Sequence, residues 1–387
     1  MSSAERPAFE GGVRKRRSEL ALSRSKGSTL SVRLSPSIEL RVLSLSKGSR
    51  RSQALAACPE RSRRIRPGSR RVDFEQTFFY IEMNNLKRGL NLTYLPVLEK
   101  GYCMKYVDLH LHTTASDGVM TPSEIVRYAK SKGLQAIAIT DHDTIEGLEE
   151  GLAEGEKIGF EVIPGIEISA EHSSGSMHLL GFFMDIHHPF LNERLGYLQK
   201  ARAERNPRIV EKLNRLGIEV TYEEVVKASG GGQIGRPHVA RVLLEKGYVR
   251  SFPEAFERFL KKGALAYVEK FRFTAKESIH FIKEAKGVAV LAHPNTLNMN
   301  GYSELESFLQ QLVKEGLKGI EVYYPEHSAL EVAQYKTLAE RYGLLMTGGT
   351  DYHGIEKNGS DIGVGRGEMK LPYSIVEGLK AVRNKSL

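Results

Sequence analysis

Downstream of residue 104, two hydrophobic rhythms alternate along the chain. Short apolar, β-rich runs predict strands at residues 106–113, 136–142, 161–169, 177–183, 287–293, 319–324 and 344–350. Between them, apolar positions three or four apart predict helices at 122–132 (with Thr121 as the cap), 145–158, 303–315 and 329–342. The runs AIAITDH and GVAVLAHP carry almost no polar residue before their ends, as strands buried on both faces require. This strand–helix alternation predicts an α/β fold on a parallel sheet, open or closed into a barrel. From 186 to 285 the strand rhythm stops. A long charged helix at 191–216, a shorter one at 222–229, a GGG loop at 230–232 and helices beginning at Pro237 and Pro253 predict a helical insertion.

Residues 1–103 follow neither rhythm. Ser, Arg and Gly dominate, and near-repeats recur, such as LSRSKGS at 22–28 and LSLSKGS at 43–49. Such a composition buries too little apolar surface to offset the entropy of ordering it, so a disordered, low-complexity extension is expected. Three origins fit it: a basic tail for nucleic acid, an Arg- and Ser-rich transit peptide, or a segment that is not native protein. On the last reading the chain starts at Met104, where MKYVDLHLH opens directly into the first strand; the apolar cluster FEQTFFYIEM fits that reading least well.

The split changes what the charge means. The whole chain carries a formal +9, yet residues 1–103 hold 21 of its 56 Lys and Arg and only 9 of its 47 Asp and Glu. Residues 104–387 are mildly acidic and contain all 12 histidines, which argues against binding extended duplex nucleic acid. Both cysteines, Cys58 and Cys103, precede Met104, so the remainder needs no oxidising compartment. No apolar run approaches the roughly 18–20 residues of a membrane span. A cytoplasmic protein is expected.

The histidines sit at particular places. In VDLHLHTTASDG, His110 and His112 are two apart on a strand and share a face, and Asp117 follows in a Gly turn. The next strand ends in TDHD with Asp141, His142 and Asp143, and the third carries Glu167 in PGIEIS. The fourth holds His178, the fifth ends in LAHP with His293, and the last runs into TDYH with Asp351 and His353. One histidine at a strand end is ordinarily structural, but solvated histidines have no reason to fall at six matching ends. In parallel barrels the C-terminal strand ends build the active site. His172, His187, His188, His280 and His327 lack this placement and read as surface or structural residues. Imidazoles and carboxylates without thiols suit Mn, Fe or Zn. Their number exceeds the roughly four to six ligands of one ion, implying two or three divalent metals, the machinery of phosphoester hydrolysis.

HLHTTASDG, TDHD, PGIEIS, LAHP and TDYH, in this order, closely resemble the PHP (polymerase and histidinol phosphatase) superfamily over essentially all of 104–387. GRPHVA at 235–240, inside the insertion, resembles the branch of 3′,5′-nucleoside bisphosphate phosphatases and the 5′-to-3′ exoribonuclease RNase AM. The resemblance implies a distorted (β/α)7 barrel with a trinuclear centre. His110, His112, Glu167 and Asp351 would hold one ion; Asp117, His142 and His353 a second; and Glu167, His178 and His293 a third, with Glu167 bridging. It further implies in-line attack of a metal-bridging hydroxide on a phosphoryl or phosphodiester group.

Asp141 and Asp143 flank a ligand and read as partners orienting imidazoles; Asp143 reads equally as the N-cap of the following helix. Gly235-Arg236-Pro237 places a guanidinium at a helix start, where free N–H groups favour an anion. Arg236 and His238 are therefore expected to bind the substrate's non-scissile phosphate, with Arg202 and Arg205 as further candidates on the long helix. The GGG loop either closes over substrate or is simply flexible. The expected substrate is a small nucleotide, losing its 3′-phosphate, or a short 5′-phosphorylated single-stranded RNA. Rival readings are a phosphatase for another small ester such as histidinol phosphate, a metal-binding module without catalysis, and a polymerase proofreading module, for which the chain has no polymerase-sized region.

Overall fold

In the computed structural model, the described residues are 105–354, 359–367 and 369–386, with four strand segments nearer the N-terminus. Those segments, β1 (Leu22–Arg24), β2 (Thr29–Ser35), β3 (Ile38–Leu45) and β4 (Phe78–Glu82), pair antiparallel in that order, where periodicity predicts no element. They belong to a unit separate from Glu99–Leu387. The rest of residues 1–103, on which the expected extension and its three origins fall, lies outside the described residues.

The second unit is a distorted (β/α)7 barrel. Its strands are β5 (Tyr106–Leu111), β6 (Ala136–Ile139), β7 (Glu161–Ala170), β8 (Met177–Phe182), β9 (Val288–Leu291), β10 (Gly319–Tyr323) and β11 (Leu345–Gly348), hydrogen-bonded in sequence order. An eighth, two-residue strand, β12 (Leu371–Pro372), flanks β5 antiparallel. Most are nearly continuous apolar runs because helices cover them, whereas β5 (YVDLHL) alternates apolar with polar residues. Helices α1 (Pro122–Ser131) and α2 (Leu148–Ile158) bury Ile125, Val126 and Leu148 against Leu111, Ile137 and Ile139. Helices α3 (Pro189–Arg215), α7 (Ala275–Glu284), α8 (Tyr302–Glu315) and α9 (Ala329–Tyr342) pack over Ile166, Leu179, Leu291 and Ile320. Val376 and Leu379 of α10 (Ser374–Ser386) join Val107, Ala138 and Val290. The starts of α1, α7 and α9 are fixed by capping boxes, Thr121–Glu124, Thr274–Glu277 and Ser328–Glu331.

One strand departs from the parallel expectation. β8 runs antiparallel to both β7 and β9. His178 therefore lies near the start of its strand, not the end, opposite Ser169 of β7. Reversal of the strand brings its N-terminal end to the face where the other strands have their C-terminal ends.

Closure is made by residues just after β11. The Thr350 N–H donates to Asp108 Oδ1 (2.9 Å), Tyr352 bridges to Leu111, and the His112 N–H donates to the Tyr352 carbonyl (3.0 Å). Gly349 is obligatory there: a Cβ would stand 2.3 Å from the Cβ of His110. Closing the barrel is thus the same event as setting Asp351 beside His110 and His112.

Between β8 and α7 the chain forms the helical layer. The C-terminal half of α3, α4 (Tyr222–Ser229), α5 (Arg236–Glu245) and α6 (Phe252–Ala255) share an apolar core of their own that includes Ile209, Leu213, Val225, Val239 and Leu243. The GGG loop ties this layer to the barrel. A Cβ on Gly232 would meet the Thr114 carbonyl at 1.8 Å, the Gln233 N–H donates to the Ala115 carbonyl (2.9 Å), and the Gln233 side-chain amide donates to the His142 carbonyl. Among the described residues no helix is long and apolar enough to cross a membrane.

Candidate metal centre and anion pocket

The nine sequence-predicted ligands converge on one face. Three groups have ligand atoms all within 4.8 Å of one another: His110, His112, Glu167 and Asp351; His112, Asp117, His142 and His353; and His142, Glu167 and His178. The first is the quartet expected from the sequence. In the second His112 joins the expected three, and in the third His142 stands where His293 is expected. His293 is nevertheless close, with Nε2 2.9 Å from Glu167 Oε1 and 3.3 Å from His178 Nδ1.

Glu167 is the hub. Its Oε2 lies 2.9 Å from His142 Nδ1, 3.2 Å from His112 Nε2 and 3.4 Å from His110 Nε2, and Oε1 lies 2.7 Å from His178 Nδ1. Yet His110 Nε2, His112 Nε2, His142 Nδ1 and Glu167 Oε2 are buried atoms with no hydrogen bond of acceptable geometry. Buried polar atoms rarely go unpaired. Three ring nitrogens and one carboxylate oxygen that converge without bonding fit a set of lone pairs aimed at a cation.

The electrostatics of the carboxylates and of His178 agree. Burial would raise the Glu167 carboxyl, but His142, His178 and His110 hold it well below the usual range. Burial likewise opposes ionisation of Asp351, which His110 and His353 hold ionised. Burial, outweighing the pull of Glu167, lowers His178 to about 4, so its ring is neutral at physiological pH with a lone pair to give. The backbone contributes as well: Asp351 sits at φ 49°, a left-handed conformation that a short polar side chain tolerates.

Surrounding residues aim these ligands. Asp141 takes hydrogen bonds from the Thr113 N–H (2.8 Å), the Thr113 hydroxyl (2.7 Å) and the Ser116 hydroxyl (2.5 Å), which fixes the turn bearing Asp117, and it reaches an imidazole only through Ser116, whose Oγ lies 3.4 Å from His112 Nδ1. Glu321 on β10, absent from the sequence-predicted site, has Oε1 3.1 Å from His110 Nδ1, and its Oε2 accepts the His293 N–H at 2.8 Å. Its only signal in the sequence is an acid within the apolar run GIEVY. Glu321→Gln is expected to lower metal affinity and activity by about 10- to 100-fold, read by metal titration and kinetics, because it loosens a ligand without removing one.

Asp143 has neither of its expected roles. The N-cap of α2 is Gly147, and the buried Asp143 carboxylate accepts from Arg202 (Nε 2.9 Å, Nη2 2.6 Å), Lys270 Nζ (2.9 Å) and the Ser169 N–H (2.7 Å). Burial would raise it, but Lys270 and Arg202 outweigh burial and keep it ionised. It anchors two cations beside the histidine–carboxylate cluster.

Those cations line a cavity of about 1110 Å³ that also contains His178, His293, Asp351, Arg205, Arg236 and Arg272. Arg205 and Arg236 form no ion pair with a carboxylate among the described residues: Arg205 donates to Asn206 Oδ1 (3.1 and 2.7 Å) and Arg236 to the Leu260 carbonyl (2.9 Å). Burial, then the neighbouring Arg272, lowers Arg236 to about 10, and burial plus Arg202 and Arg236 lowers Arg205 strongly. Arg236 is itself the first residue of α5, capped by Gly235. His238 is not brought to the cavity. It is buried, and its Nδ1 accepts the Gly235 N–H at 2.9 Å, closing the cap of α5.

Comparison with known proteins agrees with this geometry. The PHP domain family matches residues 108–322. A 3′,5′-nucleoside bisphosphate phosphatase of Chromobacterium violaceum is 30% identical over 261 residues, covering 67% of this chain and 91% of its own. The 5′-3′ exoribonuclease Rnm of Escherichia coli is 33% identical over 257 residues, covering 66% and 87%. Among solved structures, an amidohydrolase of Chromobacterium violaceum with bound sulfate and no metal superposes with a TM-score of 0.65 at 29% identity, covering 71% of this chain and 96% of that one. With this histidine–carboxylate centre at the mouth of a (β/α)7 barrel, the chain belongs to the PHP domain family and is a metal-dependent phosphoesterase.

Proposed function

We propose that the protein removes the 3′-phosphate of nucleoside 3′,5′-bisphosphates and, by the same chemistry, releases nucleotides from short 5′-phosphorylated RNA. One observation carries the reading: the buried Arg205 and the half-buried Arg236, neither paired with a carboxylate among the described residues, share a cavity with His178, His293 and Asp351 of the cluster. A single phosphate monoester needs one charged end. A substrate with a second phosphate beside the scissile one uses both halves of the cavity.

The nine clustered residues would hold two or three divalent ions, which would supply an activated water and neutralise charge on the phosphoryl oxygens. The chain's own residues do the rest. Arg205 and Arg236 bind the non-scissile phosphate as forks, and its charge relieves the repulsion among the clustered guanidiniums. Asp143 holds Arg202 and Lys270 at the boundary between the two halves. The cavity walls keep the anion in a region of weak screening, where each charge–charge contact is worth more than in water.

The test uses the full chain with Mn, adenosine 3′,5′-bisphosphate, a 5′-phosphorylated ribo-oligonucleotide and histidinol phosphate, in wild type and His110→Ala. Turnover of the nucleotides that His110→Ala abolishes is expected. Faster turnover of histidinol phosphate, or none of the nucleotides with metal stoichiometrically bound, overturns the assignment.

A further inference from the structure

Helix α3 presents two neighbouring stripes. One, with Arg202 and Arg205, lines the cationic cavity. The other carries Arg194, Tyr197, Lys200, Ala201 and Glu204, spaced three and four apart, and with Phe271 and Phe273 it lines a second cavity of about 380 Å³. Phe271 lines both cavities, so they adjoin at that ring. Tyr197 is 50% exposed and Phe271 53%, although rings of this size are usually buried far more. Both rest edge-on against the buried Phe273, with centroids 6.4 Å and 4.9 Å away. The Arg194 guanidinium stands 5.9 Å from the Tyr197 ring centroid. The Lys200 ammonium is 4.0 Å from the Glu204 carboxylate, and both are largely exposed, a contact that water weakens to near nothing. Exposed rings interleaved with cations form a surface that stacks unpaired bases while holding a phosphate backbone.

We infer that this groove is an extended subsite for the second and later nucleotides of a single-stranded RNA whose 5′ end occupies the cationic cavity. The inference rests on the RNA reading above. Tyr197 and Lys200 line the groove and not the cavity, so a mononucleoside bisphosphate gains nothing from them.

The test compares the full chain with Tyr197→Ala and Lys200→Glu, both at exposed positions. Substrates are adenosine 3′,5′-bisphosphate and 5′-phosphorylated RNA of two and six nucleotides. In wild type, kcat/KM is expected to rise from dimer to hexamer. Each variant should lose about tenfold on the hexamer, consistent with one stacked base or one phosphate contact, with bisphosphate turnover unchanged. Fluorescence anisotropy with a 3′-labelled hexamer in EDTA reads the groove without turnover, and the same roughly tenfold weakening is expected. Equal hexamer affinities in wild type and variants overturn the groove assignment, as does the absence of any length dependence in wild type. Variant-sensitive binding without hydrolysis of either RNA would uphold the groove as an RNA surface while removing the exoribonuclease reading.

Discussion

Glu167→Gln should lower kcat/KM for phosphate release by about a thousandfold or more. The side chain keeps its shape, so the fold survives, but the negative charge at the centre of five imidazoles is lost. The five contacts run from 2.7 to 3.4 Å and involve both carboxylate oxygens. Among the described residues no other faces so many of the ligands. An amide would offer one neutral oxygen and turn an N–H toward ring nitrogens that have lone pairs to share. Stabilising phosphoryl charge by bound cations is worth several kcal/mol, and each 1.36 kcal/mol is about a factor of ten. Elemental analysis should show fewer ions per chain, alongside the kinetic loss. Near-wild-type metal content and turnover would remove Glu167 from the centre. The contrast with Glu321→Gln is informative: Glu321 touches one ligand ring and one backbone N–H, so its effect should be one to two orders of magnitude smaller.

The second large effect concerns Arg205 and has two opposite signs. Arg205→Met should raise KM for a nucleoside bisphosphate by about ten- to a hundredfold, the worth of a charge-assisted hydrogen bond to phosphate of about 1.5–3 kcal/mol. The same substitution should leave the melting temperature of the ligand-free protein unchanged or higher. Arg205 is 3% exposed, and the charges of Arg202, Arg236 and Arg272 oppose its own. Replacing a buried, uncompensated cation by an apolar side chain of similar volume removes that repulsion and its desolvation cost. Thermal melts with and without adenosine 3′,5′-bisphosphate separate the two effects, because the ligand should stabilise wild type much more than the variant. A variant with a lower melting temperature and unchanged KM would make Arg205 a structural residue.

The ligands were legible in the sequence because strand geometry is short-range. His110 and His112 share a face by the two-residue period, and the buried runs before TDHD and LAHP announce where strands end. Glu167 and Asp351 were legible in the same way, as acids at or near the ends of predicted strands, and resemblance to a known order of motifs then assigned them to particular ions. The helix starts were also local, since Thr or Ser followed three residues later by Glu satisfies its own backbone donors.

Other features depended on partners far along the chain. Nothing local distinguishes a parallel from an antiparallel β8, so the side of the barrel on which His178 falls depends on its pairing with β7 and β9. Asp143 reads as a cap or an orienting acid until Arg202 and Lys270, 59 and 127 residues away, converge on it. Charged residues on a long helix are ordinarily solvated, and only the packing of the insertion over the barrel mouth buries Arg202 and Arg205. His238 shares a motif with Arg236, yet its ring turns back to cap its own helix. The sequence by itself determined the periodicities, the barrel class and the ligand types. The tertiary structure alone decided which charges were taken out of water together, because burial and ion pairing depend on distances that sequence separation does not encode.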